Sequence, residues 1–478
     1  MIEKPLASRP LPVDVAPSAD TPRLVDTHCH LEDARFDADR DEVIKRAQAS
    51  CPGVGHMITV GTDIASSEAA LRIAHAYPFI YAAVGVHPHE AKGFDENVFK
   101  RLLALAEDEK TVAIGETGLD YHYMHSPREA QVHAFRMQVE IARQTGLPVI
   151  VHSREADDET LEILGQSGRV KGVLHCFSGD AEMAGAAMAM GFYISIAGPV
   201  TFRKAEAIRR VAAEVPDDYL LIETDAPYLA PGPLRGQRNE PAYLAETAKA
   251  IAAIRGISPE DLARITSLNA SRLFGIGEVP GAGRFTYRIR DSLYLNLTNR
   301  CTNSCSFCVR FYSDFVKGHK LRLTREPDAG ELISEIGEPG AYKEIVFCGY
   351  GEPLMRLDVV KEVAAWVKAG GGKVRINTNG HGSLINGRNI LPELKGLVDG
   401  LSISLDAQDE KTYAGLCKPV FPGAFAALLD FIRESVKYVP EVRVTVVRTD
   451  GVDVEACRSL ALSLGVKDFR VRELDAVG

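Results

Sequence analysis

Three cysteines, Cys301, Cys305 and Cys308, crowd into the stretch NRCTNSCSFCVR. Thiolates at such spacing select soft metals. A structural zinc site closes with four protein ligands, and the nearest later candidates for a fourth are His319 and Cys348. A [4Fe–4S] cluster on three cysteines instead leaves one iron open to a ligand that is not protein. The tight polar loop favours that reading over zinc and over three unrelated thiols. A second set of donors lies earlier, with His28 and His30 flanking Cys29, and His87 and His89 flanking Pro88. Glu116, His152, His175 and Asp225 follow. Imidazoles and carboxylates suit Zn²⁺, Mn²⁺ or Mg²⁺. Side chains at i and i+2 of a strand share a side, so His28 and His30 can hold one ion while Cys29 turns away. His28, His30, Glu116, His152, His175 and Asp225 are too many for one ion with an open position. They suit two ions sharing a carboxylate, which activate a water and stabilise the attacking and leaving oxygens.

These residues need elements that bring them together. Short apolar runs recur, each apolar at its start and polar at its end: LVDTHCH, HMITVGT, IYAAVGVHP, TVAIGETGLDY, LPVIVHSRE, GVLHCFSG, FYISIAGP and LLIETDAP. Amphipathic stretches such as PREAQVHAFRMQVEIARQTG separate them. Apolar strands alternating with helices imply a parallel sheet covered on both faces. Eight units in this length predict a (β/α)8 TIM barrel, whose C-terminal mouth is where chemistry sits. The candidate ligands fall at the polar ends of the runs, on that mouth. Basic residues follow strands in the same way: Arg154, Arg203 with Lys204, then Arg235 and Arg238. Arg grips phosphate through two donors, so Arg154, Arg203, Arg235 and Arg238 are candidate substrate contacts. His87 is a further candidate donor to the same phosphate.

The Gly-rich stretch GIGEVPGAGRFTYRIRD reads as a pause, with a linker over 277–289. Alternation then resumes in SLYLNLTNRC, EIVFCGYGEP, KVRINTNG, GLSISLDA, EVRVTVVRT and DFRVREL. Six units are too few to close an eight-stranded barrel, so an open, partial (β/α)6 barrel is expected over 290–478. The resulting architecture is α/β throughout: a leader over 1–22, a TIM barrel over 23–276, a linker, and the partial barrel.

The chain has 478 residues, enough for two cores of ordinary domain size. A net charge of −10 argues against a generic nucleic-acid coat, without excluding an enzyme with a local basic patch. Nine cysteines, mostly scattered and apolar-flanked, suit free thiols in a reducing compartment rather than a disulfide scaffold. The Pro-rich residues 1–22 lack an apolar core and read as a disordered leader, not a signal peptide. The long uncharged run over 183–200 contains Gly and Pro and reads as a helix feeding a buried strand. A cytoplasmic protein is expected.

The motifs VDTHCHLE, GVHPHE, IGETGLDYH, VIVHSREA, HCFSG, ETDAPYLAP and LRGQRNEP, in this order, resemble the TatD family of metal-dependent hydrolases. The resemblance covers residues 23–276. It implies a TIM-barrel phosphodiesterase, typically a deoxyribonuclease. His28, His30, Glu116 and Asp225 would hold one ion, and Glu116, His152 and His175 the other. Glu116 would bridge the two, and Asp225 would also take a proton from the attacking water.

The second half is similar to the radical S-adenosylmethionine (SAM) superfamily over 290–478, with CxxxCxxC intact. GYGEP stands where that superfamily has a glycine-glycine-glutamate motif, with Tyr350 between Gly349 and Gly351. The resemblance implies a [4Fe–4S] cluster on Cys301, Cys305 and Cys308. It also implies SAM bound to the open iron and reductively cleaved to a radical that abstracts hydrogen. Glu352 would hold the SAM amino group, and Asn377, Thr378, Asn379, Ser404 and Asp406 would contact ribose and carboxylate. Phe307 would pack on adenine. An electron donor such as flavodoxin or ferredoxin is implied. The basic rim of the first half and the joining of both halves in one chain lead to the expectation of a nucleic acid or nucleotide-related substrate. The pairing resembles TatD-associated radical SAM proteins. The residues leave open a barrel acting on another ester, including an aminoacyl-tRNA ester, and a cluster-bearing second half without turnover.

Overall fold

The computed structural model describes residues 22–168, 170–277 and 281–473. The leader read over 1–22 lies almost wholly outside these residues. No described helix is long and apolar enough to cross a membrane.

The first half closes as expected. Strands β1 (Leu24–Cys29), β2 (Val54–Val60), β3 (Ile80–Val84), β4 (Thr111–Asp120), β5 (Val149–Arg154), β6 (Gly172–Leu174), β7 (Phe192–Ile196) and β8 (Leu220–Ile222) form one parallel sheet in chain order. β1 and the segment after β8 meet at a parallel bridge, Cys29 to Ala226. Asp225 N–H donates to the His28 carbonyl at 2.9 Å, and His30 N–H to the Ala226 carbonyl at 2.7 Å. Below this seam the buried Asp26 carboxylate accepts the Thr224 N–H and hydroxyl at 3.0 and 2.6 Å.

Inward apolar residues Val25, Ile58, Ala83, Ile150 and Leu221 fill the barrel. The helix Pro259–Phe274 plugs its floor by adding Ala270, Leu273 and Phe274 to that core. Ser258 caps the helix start by accepting the Asp261 N–H, and Gly275 ends it at φ +70°. Asn269 Nδ2 ties the helix to the carbonyls of Asp217 and Leu220.

The second half is an open seven-stranded sheet. Strands β9 (Thr286–Ile289), β10 (Ser292–Leu295), β13 (Ile345–Phe347), β14 (Val374–Thr378), β15 (Gly400–Ser404), β16 (Glu441–Arg448) and β17 (Asp468–Glu473) lie in the order β17-β16-β15-β14-β13-β10-β9. Between β10 and β13 stands a short hairpin, β11 (Phe315–Val316) with β12 (His319–Lys320). The expected six parallel strands are present, from β10 through β17. The stretch 277–289 is not all linker: β9 pairs antiparallel with β10. Tyr287 is buried with Leu321 and Tyr350 and packs on Tyr294 and His319, which fixes the strand.

The hairpin β11–β12 also touches the barrel floor. Lys317 Nζ lies 2.7 Å from Asp217 Oδ2, and the Arg272 guanidinium sits 5.3 Å from the Phe315 ring centroid. Arg290 N–H donates to Asp261 at 3.2 Å. A cavity of about 750 Å³ follows this contact, lined in part by Tyr219, Arg272, Phe311, Tyr312, Asp314 and Arg322. These barrel residues lie at the strand N-terminal ends and around the floor helix. The candidate metal ligands lie at the opposite, C-terminal ends.

One glycine fixes the distance between two site-bearing strands. Gly118 in β4 has φ +137°, and a Cβ there would stand 2.0 Å from the His152 carbonyl oxygen in β5. Gly118→Ala is expected to destabilise the protein by about 3 kcal/mol or more. Gly93, with nothing within 4 Å of a Cβ, is the control. Thermal melts of the two alanine variants check this: Gly118→Ala should melt well below wild type and Gly93→Ala close to it.

Candidate active sites

The first site is built from strand ends. His28 and His30 leave β1 on one side, and their Nε2 atoms stand 3.2 Å apart. Glu116 Oε2 lies 3.4 Å from His28 Nε2 and 3.8 Å from His30 Nε2. Asp225 Oδ1 lies 3.8 and 3.5 Å from the same two atoms. His30 Nδ1 is 2.8 Å from the Val60 carbonyl. A carbonyl only accepts, so Nδ1 carries a hydrogen and Nε2 is the atom turned on the other donors. Burial opposes a charge on this ring, but Asp225 and Glu32 outweigh it and raise its pKa well above the usual value. Two imidazole nitrogens and two carboxylate oxygens at this spacing repel unless a cation is shared. This donor set fits a divalent ion.

The other oxygen of Glu116 serves a second cluster. Glu116 Oε1 is 2.9 Å from His152 Nδ1 and 2.7 Å from His175 Nε2, which are 3.2 Å from each other. Glu116 thus faces both clusters, one oxygen to each. Burial opposes its ionisation, but His175, His87 and His152 outweigh it and hold the carboxyl well below the usual range. Burial and the neighbouring His175 lower the His28 pKa.

Behind these ligands stand carboxylates that the sequence reading did not single out. Asp120 Oδ2 lies 3.3 Å from His152 Nε2 and 3.0 Å from His89 Nε2. Glu223 Oε1 lies 3.3 Å from His175 Nδ1 and accepts the Cys176 N–H. Its other oxygen accepts the Ser195 hydroxyl at 2.6 Å. Such partners fix the tautomer and orientation of metal-binding imidazoles. Both acids sit inside quoted motifs, GLDY and ETDAP, and that was the available signal. His87, read as a phosphate donor, is half-buried with Nε2 3.4 Å from Glu116 Oε1. With Glu116 and His152 it forms a third group of metal-competent spacing. Burial pushes the His87 pKa down to about 4, so the ring is neutral near pH 7.

The ligands line a cleft of about 920 Å³. Arg154 lies over Tyr123, 4.7 Å from its centroid, and Arg35 over Tyr228 at 4.3 Å. Both tyrosines are about half exposed, at 52% and 48%. Pro199, Lys204 and Ala205 line both this cleft and a neighbouring cavity of about 730 Å³ that holds Arg203 and Arg235. Arg238 departs from the expectation. It donates to both Asp39 oxygens, at 2.9 and 2.7 Å, and lies over Phe36. Its fork is committed to the chain's own carboxylate, so it braces the segment before the helix Arg40–Ala49 instead of joining the rim.

In the second half the cysteine loop leaves β10. Cys301, Cys305 and Cys308 are half-buried. Cys308 N–H donates to the Cys305 carbonyl, and Asn303 N–H to Cys301 Sγ at 3.5 Å. Burial pushes the Cys301 thiol up to about 11 and raises that of Cys308 as well, with Arg310 partly opposing both. Three sulfurs on one loop, at the sheet end where the strands offer polar groups, fit a [4Fe–4S] cluster with one open iron. His319, one candidate fourth ligand for zinc, is committed elsewhere. His319 Nε2 bonds the Arg288 carbonyl and its ring packs on Tyr287.

The polar groups after the strands divide. Glu352 is buried, and burial pushes its carboxyl up to about 7. It accepts from Thr378 Oγ1, Asn379 N–H and Leu354 N–H at 2.8, 2.8 and 3.1 Å. Thr378 therefore orients Glu352. Gly349 and Gly351 are required by the chain itself: a Cβ would lie 2.1 Å from Asn296 Oδ1 or 2.2 Å from the Arg300 carbonyl. Asn377 bonds Arg375. Asp406 is buried, accepts the Val447 N–H, and is pushed up to about 6 by burial. Ser404 is half-buried, and Phe307 packs against the core. Asn379, expected to contact SAM, turns its amide to the cysteine loop: Nδ2 meets Thr302 Oγ1 at 2.8 Å and Cys301 Sγ at 3.6 Å.

Nitrogen and oxygen donors for two ions at the mouth of a closed barrel, followed by a three-cysteine loop on an open sheet, define a metal-dependent hydrolase joined to a radical SAM domain. The chain belongs to the family of TatD-related DNases, whose model matches residues 25–275. The radical SAM superfamily model matches residues 295–456. The uncharacterized metal-dependent hydrolase YabD of Bacillus subtilis is 44% identical over 255 residues, 53% of this chain and 99% of that protein. The 3'-5' ssDNA/RNA exonuclease TatD of Citrobacter rodentium is 39% identical over 260 residues, 53% of this chain and 98% of its own. The crystal structure of YjjV, a TatD homolog from Escherichia coli, superposes with a TM-score of 0.51 at 32% identity, over 53% of this chain and 99% of that one.

The donor geometry sets an expectation for metal removal. A ligand at about one hundred times its Kd stabilises the fold by about 2.7 kcal/mol. Chelator-treated protein should gain about 5 °C or more in Tm when Zn²⁺ or Mn²⁺ is restored. Glu116→Gln, which weakens both clusters at once, should abolish most of the gain. Melting curves with and without metal check both points.

Proposed function

We propose that the barrel hydrolyses phosphodiester bonds in single-stranded nucleic acid. In this reading His28, His30 and Asp225 hold one divalent ion, His152 and His175 hold the other, and Glu116 bridges them. The observation that carries it is the Glu116 carboxylate, with one oxygen toward each cluster of imidazoles at the bottom of an open cleft. The ions would supply Lewis acidity toward the phosphate and lower the pKa of water. Asp225, beside His28 and His30, is placed to take the proton of the attacking water. Asp120 and Glu223 keep His152 and His175 aimed inward.

Single strands suit the walls of the cleft. Tyr123 and Tyr228 are half-exposed rings of the kind on which bases stack, each with an arginine over one face. Arg203 and Arg235 in the adjoining cavity would follow the phosphate backbone, as Arg154 and Lys204 would nearer the ions. The likeness to a 3'-5' ssDNA/RNA exonuclease supports the same substrate class.

The second domain would carry a [4Fe–4S] cluster on Cys301, Cys305 and Cys308 and cleave SAM reductively, drawing electrons from a donor such as flavodoxin or ferredoxin. Glu352, held by Thr378 and the Asn379 N–H, would orient the SAM amino group. We place the hydrolase unit over 23–276 and the radical SAM unit from β9 onward. A nucleic acid or nucleotide is the proposed class for the radical step too, since the two units share one chain.

Two assays test the reading. Metal-loaded protein should degrade single-stranded DNA or RNA faster than duplex, and Asp225→Asn should lower the rate by about 10²–10⁴. No metal-dependent cleavage of any nucleic acid would remove the phosphodiesterase assignment. Anaerobically reconstituted protein given SAM and dithionite should release 5′-deoxyadenosine, and Cys305→Ala should release none.

A further inference from the structure

We propose that Asn379 tunes the reduction potential of the cluster by donating an N–H···S hydrogen bond to Cys301, and that it does not bind SAM. The inference rests on the reading of Cys301, Cys305 and Cys308 as cluster ligands.

The orientation of the Asn379 amide follows from its neighbours. Its Oδ1 accepts the His381 backbone N–H at 3.0 Å. A backbone N–H only donates, so oxygen must face His381 and the NH₂ group must face the other way. There Nδ2 meets Thr302 Oγ1 at 2.8 Å and Cys301 Sγ at 3.6 Å. The Asn379 backbone N–H is already given to Glu352.

The contacts around the Asn379 amide continue into a buried network. The Thr302 hydroxyl, which accepts from Asn379, lies 3.0 Å from His381 Nδ1. His381 Nε2 lies 3.1 Å from Tyr413 Oη. Asn303 Nδ2 donates to the same oxygen at 3.0 Å, and Asn303 N–H reaches Cys301 Sγ. Thr302, Asn303, His381 and Tyr413 are all buried. Burial holds the His381 pKa down at about 4, so the ring is neutral near pH 7. The network therefore locks one side-chain donor and one backbone donor onto the Cys301 sulfur.

Hydrogen bonds to cluster sulfurs set the potential of an iron–sulfur centre. A donor stabilises the added negative charge of the reduced state, so removing it makes reduction harder. Asn379 is thus a positioning residue that acts through Cys301. Its link to Glu352 through the next peptide N–H joins the sulfur to the carboxylate proposed to orient SAM.

The test uses the full chain, reconstituted anaerobically with iron and sulfide. Wild type, Asn379→Leu and Asn379→Asp are compared by iron and sulfide content, by the midpoint potential from an EPR-monitored titration without SAM, and by equilibrium SAM binding. Wild-type loading is expected in the variants. The potential should shift negative in Asn379→Leu and further in Asn379→Asp, which puts an acceptor where the donor stood. SAM affinity should stay within about twofold of wild type. An unshifted potential in a loaded variant overturns the inference. So does an affinity loss of about tenfold or more with the potential unchanged, which would make Asn379 a SAM contact. A wild-type chain that assembles no cluster removes the cluster reading itself and is distinguishable from both.

Discussion

The N–H of Asp225 bonds the carbonyl of His28, and the N–H of His30 bonds the carbonyl of Ala226. These two hydrogen bonds stitch the first strand of the barrel to the segment after the last, and the residues making them carry three of the candidate metal ligands. A closed barrel needs its first and last strands in fixed register. That same register decides whether His28, His30 and Asp225 converge. Asp26, buried beneath, accepts twice from Thr224 and holds the seam from the inside. Glu116 and His175 enter from across the barrel, and His28 stacks on His175 at 4.0 Å. Closure and metal geometry are therefore one constraint.

The two halves meet at the other end. The floor helix that completes the barrel core also presents Asp261, Arg264 and Arg272 to the second domain, and Asp217 receives Lys317. The hairpin that makes this contact follows the cysteine loop by a few residues. The barrel floor thus backs the segment leading away from Cys308, while the hydrolytic cleft opens at the far end. The hydrolytic cleft therefore does not open onto the contact between the two halves.

Much of this was legible in the sequence. Runs that begin apolar and end polar identified all eight barrel strands, because burial on both faces leaves a continuous apolar signature and the mouth needs polar ends. The i, i+2 spacing identified His28 and His30. The parts that stayed hidden depend on distant neighbours. Asp120 and Glu223 look like any strand-end acids until the partner imidazoles arrive from other strands. Arg238 has the right type and loop for phosphate, but Asp39 takes its fork. Gly349 and Gly351 suggested an approaching ligand, and the approach comes from Asn296 and Arg300. Strand β9 is short and lies in a Gly-rich stretch, and only the burial of Tyr287 shows why it pairs. The amide of Asn379 could be read from sequence as polar and near the site, whereas its direction is set by His381, Thr302 and Cys301 together.

Glu116 faces both clusters, one oxygen to each, and whether it serves two ions can be measured. Anomalous diffraction from crystals of the full chain soaked in Mn²⁺ or Zn²⁺ addresses it directly. Two peaks are predicted, one among His28, His30 and Asp225 and one between His152 and His175, each within bonding distance of a different Glu116 oxygen. A single peak, or a peak that leaves Glu116 uncoordinated, would contradict it.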